Sequence, residues 1–104
     1  EPMYFAHALM NVLDMKSKGF DVRLVIEGAA TRQMAEMADG TRPFANLYAK
    51  ARDAGLIDCA CQACATMTRS LDEAKAQGLR VCSEMGGHPS MARYVEEGFE
   101  VVVV

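Results

Sequence analysis

Ile57-Asp58-Cys59-Ala60-Cys61-Gln62-Ala63-Cys64 ends an apolar run and opens a helical pattern. With Leu56, the run to Cys61 reads as a strand, and a helix follows from Cys64. Side chains alternate along a strand, so Cys59 and Cys61 face the same way. A strand passing straight into a helix is half of a crossover unit, and parallel strands need such crossovers. The segment therefore points to an α/β fold and, at the strand's end, to thiol chemistry.

The flanking sequence repeats the alternation. Phe5, Ala8, Leu9, Val12 and Leu13 have helical spacing over residues 3–18, with Pro2 at the start and Gly19 at the stop. Phe20 to Ile26 is β-rich and reads as a strand. Gly28-Ala29-Ala30 follows as a close-approach loop. Thr31 is placed to cap a short helix over 32–38. Pro43 opens another helix, whose apolar face is Phe44, Leu47, Tyr48 and Ala51 and which Gly55 ends.

Beyond the cysteines, Ser70-Leu71-Asp72-Glu73 reads as a capping box and Gly78 as the helix end. Leu79 to Cys82 is a third strand and Met85-Gly86-Gly87-His88 a loop. Pro89 starts a last helix, with Met91, Tyr94 and Val95 inward and Gly98 at its end. Phe99 to Val104 (FEVVVV) reads as a final strand buried on both faces. Opening on a helix is unusual for this order, so a further strand is expected ahead of Glu1, with Glu1-Pro2 in the loop after it. The whole predicts one domain with a mostly parallel sheet covered by helices.

The chain has 104 residues, 51% hydrophobic and 24% charged, which suits one domain with its own core. Its formal net charge of −3 and lack of a basic stripe argue against nucleic acid as a partner. No apolar run is long enough to span a membrane and no secretion signal is visible. Four cysteines in a chain with this apolar content are expected to be reduced thiols of a cytoplasmic protein. Eight methionines and no tryptophan suit adaptable core packing.

In open α/β sheets, ligands gather outside the carboxyl ends of the strands. Here those ends are Gly28-Ala29-Ala30, Cys61-Gln62-Ala63-Cys64 and Met85-Gly86-Gly87-His88. A parallel sheet places all three on one rim. Cys61, at the strand–helix junction, is the candidate nucleophile, because a helix start favours a thiolate. Cys64, one helical turn on, is its candidate resolving partner. His88 is a candidate charge partner, and Gly28, Gly86 and Gly87 are candidate binding-loop positions. Cys59 and Cys82 read as core thiols, His7 as a surface residue, and Asp58 is given no role.

The order of these segments carries a resemblance. Asp21-Val22-Arg23-Leu24-Val25-Ile26-Glu27-Gly28, Cys61-Gln62-Ala63-Cys64, Gly86-Gly87-His88-Pro89-Ser90 and Glu97-Gly98-Phe99-Glu100-Val101-Val102 together resemble the small DsrE/DsrF-like proteins, which include the TusD type of sulfur-relay subunit. The likeness covers nearly the whole chain. It implies a three-layer α/β/α sandwich with a five-stranded parallel sheet, of which the first strand is not in this chain. It also implies homo- or hetero-oligomers, and a persulfide carried on a cysteine at the position of Cys61, with Cys64 beside it.

The leading expectation is thus a sulfur carrier or sulfurtransferase-like protein, with a sulfur donor or acceptor protein as partner and no cofactor or metal. A dithiol redox or thiol-sensing protein using Cys61 and Cys64 is an alternative. So is a zinc site of Cys59, Cys61, Cys64 and His88, which puts two ligands on one strand where structural zinc uses separated pairs. An oligomeric interaction module with inert cysteines is the last.

Overall fold

Three short parallel strands in the order β1-β2-β3 organise the computed structural model, which describes residues 2–104. Helix α1 (Pro2–Ser17) leads to β1 (Leu24–Ile26), α2 (Ala30–Glu36) and α3 (Ala45–Asp53). Then come β2 (Ile57–Cys61), α4 (Gln62–Met67), α5 (Leu71–Ala76), β3 (Val81–Cys82) and α6 (Met91–Glu96). Each strand is joined to the next through helices, as parallel pairing requires. Glu1, where a preceding loop was expected, lies outside the described residues, and Pro2 is already in α1.

The core is apolar and continuous. Phe5, Leu9 and Val12 of α1 pack with Tyr48 and Ala51 of α3, Met34 of α2, Ala74 of α5, and Ile26, Leu56 and Ala60 of the sheet region. Leu9, Met34 and Tyr48 are fully buried. The rings of Phe5 and Tyr48 stack with centroids 6.1 Å apart. The buried Tyr48 hydroxyl is satisfied by Gln77 Oε1, and Gln77 Nε2 donates to Met34 O at 3.1 Å. Burying a polar tip in this way requires such partners.

Several expectations are corrected. Phe99 to Val104 forms no strand and pairs with no other segment among the described residues; Val101 to Val104 are exposed. A β-branched run has strand propensity, but a strand exists only where a neighbour supplies its ladder. Phe99 turns back instead onto Tyr94, edge to face at 6.4 Å, and under the Arg23 guanidinium at 4.6 Å. The first strand is likewise shorter than expected, because pairing with β2 begins only at Leu24.

Helix starts also move. Thr31 lies inside α2, where its hydroxyl donates to Gly28 O instead of capping. Pro43 precedes α3, which begins after Phe44 in a left-handed conformation (φ 69°). Ser70 does stand at the start of α5, yet its hydroxyl turns to Thr68 O and no capping box forms. In α6 only Tyr94 of the three expected inward residues is buried; Met91 and Val95 are exposed.

Candidate functional site

The carboxyl ends of the three strands meet, as a parallel sheet demands. Cys61 is the last residue of β2 and the N-cap of α4, with extended backbone (φ −66°, ψ 122°). That dual position aims its Sγ along the helix start, where it accepts from Cys64 N–H at 3.4 Å. Cys64, three residues on, lies over the same turn. His88 arrives from the β3–α6 loop. Its Nδ1 is 3.2 Å from Cys61 Sγ and 4.0 Å from Cys64 Sγ.

The loop is built to deliver that imidazole. Met85 and His88 exchange backbone hydrogen bonds, Met85 N–H to His88 O at 2.8 Å and the reverse at 3.1 Å. Gly86 and Gly87 make the intervening turn with φ of 57° and 95°, values that favour glycine. Gly87 O accepts from Ala63 N–H at 2.8 Å, which ties the loop to the first turn of α4. A Cβ on Gly87 would meet Ala63 Cβ at 3.3 Å, so this close approach is glycine's. Behind the loop, Glu84 Oε1 accepts from Ser90 N–H and Arg93 Nε, both at 3.0 Å. The Ser90 N–H foremost, with Arg93, brings the Glu84 carboxyl down to about 2, so it stays charged and keeps the loop's ends together.

Exposure grades across the cluster. Cys61 is fully buried, Cys64 half-buried and His88 exposed. The thiol expected to be exposed is thus the buried one, and its neighbour is the more accessible. Burial pushes the Cys61 thiol up to about 11, the Cys64 side chain adds to that, and Cys64 N–H acts against it. Cys61 is therefore a protonated, shielded thiol at neutral pH, whereas the expectation was an exposed thiolate. The start of a six-residue helix does not outweigh the desolvation of a buried sulfur.

Gly28 lies one step removed. With φ 63° it turns the chain after β1, and its carbonyl accepts from the Thr31 hydroxyl at 2.8 Å. Thr31, fully buried, also reaches Thr68 Oγ1 at 2.7 Å and Cys64 O at 3.4 Å. Gly28, Gly86 and Gly87 thus shape and brace the rim. Gly28 O meets the Thr31 hydroxyl and Gly87 O the Ala63 N–H.

Two features escaped the sequence reading. Buried Thr31 and Ser70 and half-buried Thr68 form a hydroxyl cluster, Thr68 Oγ1 lying 2.9 Å from Ser70 Oγ, that pins α2 to the end of α4. Only the burial of polar residues far apart in sequence reveals it. The second is a disulfide between Cys59 and Cys82, where reduced thiols were expected. Both residues are core, as expected, and parallel pairing brings their Cα atoms to 5.9 Å, within bridging range. Tyr94 Oη is 3.4 Å from Cys59 Sγ and hydrogen-bonds Asp58, which also accepts from Arg80 at 2.8 Å. Asp58, given no role from sequence, is the hub of this polar network. Cys59 is consequently not available to the Cys61 cluster.

Comparison with known proteins gives relatives without described activities. The chain is 26% identical over 96 residues to an uncharacterized protein of Methanocaldococcus jannaschii, covering 92% of this chain and 76% of the relative. It is 53% identical over 34 residues to an uncharacterized protein of Archaeoglobus fulgidus, covering 33% of this chain and 92% of that short relative. It belongs in one family with the Archaeoglobus fulgidus protein, whose length it covers almost fully. No family model and no solved structure matches.

Proposed function

We propose that this chain is a sulfur carrier, sulfurtransferase-like in chemistry, in which Cys64 accepts sulfane sulfur and Cys61 resolves it. The observation that supports this is the meeting of a half-buried and a buried thiol at one imidazole, Cys64 Sγ and Cys61 Sγ lying 4.0 and 3.2 Å from His88 Nδ1. The Cys64 thiolate attacks the outer sulfur of a donor persulfide. The donor's thiolate leaves, and Cys64 holds the sulfur as a persulfide. An acceptor thiolate then attacks that outer sulfur and releases the Cys64 thiolate.

Where no acceptor arrives, Cys61 closes the cycle. Its proton passes to His88, and the sulfur attacks Cys64 Sγ. A Cys61–Cys64 disulfide forms and hydrosulfide leaves; the two thiols are oxidised by two electrons and the sulfane sulfur is reduced. An external dithiol restores the pair. A high-pKa thiol suits a resolving role, because it stays silent until a base is aligned with it.

The DsrE/DsrF-like resemblance belongs to the same proposal, with a three-layer α/β/α sandwich, a sheet extended beyond β1–β3, homo-oligomers, and a protein donor or acceptor docking at the rim. So does a cytoplasmic location. Among the described residues no helix is long and apolar enough to cross a membrane. Burial of Cys59 and Cys82, at 0% and 5% exposure, protects their disulfide from cellular thiols, since exchange needs access.

Incubation with a sulfane donor followed by intact mass and peptide mapping tests the proposal. With Cys61→Ser blocking discharge, one added sulfur on Cys64 is expected, lost when Cys64→Ser is added. Absence of an adduct on Cys64 in the Cys61→Ser variant sinks it. A reversible Cys61–Cys64 disulfide in the wild type, with no hydrosulfide released and no adduct on Cys61→Ser, would assign the pair to dithiol redox chemistry, which the proximity of the two sulfurs, within 4.8 Å, also favours.

A further inference from the structure

We propose that Cys61, Cys64 and His88 form a three-ligand binding site for a zinc ion. Their ligand atoms all lie within 4.8 Å of one another. Tetrahedral zinc, with bonds of about 2.3 Å to sulfur and 2.0–2.1 Å to nitrogen, separates sulfur from nitrogen by roughly 3.5 Å. The two S···N distances here, 3.2 and 4.0 Å, bracket that value. Shifts of a few tenths of an ångström, within the reach of side-chain torsions, would seat the ion.

The donor chemistry selects the metal. Two thiolates and an imidazole suit zinc and other soft or borderline ions, and exclude calcium and magnesium, which take oxygen. Two thiolates also cancel the ion's double charge, so filling the site leaves no net charge beside the buried Cys61. Both thiol protons are released to solvent as the ion binds. The ligands are held in advance: Cys61 and Cys64 by the β2–α4 junction, and His88 by the Met85–His88 turn fastened to Ala63.

No fourth Cys, His, Asp or Glu joins the group among the described residues. Cys59 is bonded to Cys82. The fourth position therefore belongs to water, the arrangement of an open site. The site does not depend on sulfur carriage, but the two compete for the same sulfurs, so bound zinc blocks persulfide loading.

The test is metal binding by the purified full chain, its Cys61–Cys64 pair reduced, with no sulfur donor present. Native mass spectrometry should give one zinc per chain. Cobalt(II) in its place should show thiolate charge-transfer absorption and the visible bands of tetrahedral cobalt. Cys64→Ser and His88→Ala should each weaken zinc by at least about tenfold, whereas Cys82→Ala should leave it unchanged. His88 is exposed, so His88→Ala is expected to keep the wild-type circular dichroism spectrum and to report on binding alone. No zinc retained at micromolar concentration, octahedral cobalt bands, or equal affinity in His88→Ala would each overturn the site. Failure of persulfide loading with zinc binding intact would reject only the carrier reading.

Discussion

At the residue scale, the two free thiols are separated by burial. Cys64 is half-buried, and Cys61 is fully buried with its thiol raised to about 11. Alkylation at pH 7.5 should therefore modify Cys64 well before Cys61, with Cys61 gaining only toward pH 11; peptide mapping of a time course checks this, and equal rates would refute it. The same shift bears on stability. A thiol whose folded pKa lies above its ordinary 9.0 binds its proton more tightly when folded. Its contribution is complete below pH 9 and is lost as pH rises toward 11. Urea unfolding at pH 8 and 10.5 should show wild type losing up to about 2 kcal/mol more than Cys61→Ala. The C-x-x-C spacing and the glycine-rich loop were legible in the sequence. Which thiol is shielded was not, because that depends on residues 26 and 27 positions away folding over it.

Elements show the same division between local pattern and tertiary outcome. The helix positions followed from apolar spacing and glycine stops, and three of the four expected strands formed. The caps did not, because Thr31 and Ser70, both buried, turn their hydroxyls to Gly28 O and Thr68. Their hydroxyls join Thr68 in linking α2 to α4. Thr31→Val keeps the shape but removes a hydroxyl that serves both Gly28 O and Thr68 Oγ1. We expect a loss of about 1–3 kcal/mol in denaturant unfolding, together with faster alkylation of Cys64, whose carbonyl the same residue touches. The segment from Phe99 to Val104 is the opposite case: a strong strand propensity without a neighbour, and no strand. Removing residues 101–104 should change stability by no more than about 0.5 kcal/mol. A large loss would restore that segment to the sheet.

On the scale of the whole molecule, the covalent and non-covalent ties between β2 and β3 coincide. Cys59 and Cys82 close a loop with a sequence separation of 23. Chain-entropy arguments assign such a bridge about 3 kcal/mol. Cys82→Ala should lower unfolding free energy by that order, while a variant as stable as wild type would mean the bond is not formed in solution. An α/β architecture was readable from the alternation of the chain; the bridge was not, since it rests on the register that pairs Ala60 with Val81 and Cys61 with Cys82. That register has a kinetic side. Every strand pairing here is parallel and spans a crossover, and such long-range closures are slow steps in folding. Cys61 is covered only once β3 has docked and carried His88 across. During refolding, the moment at which Cys61 ceases to react with a pulsed alkylating agent therefore dates the docking of the last strand, with Cys64 in the same chain as an internal clock.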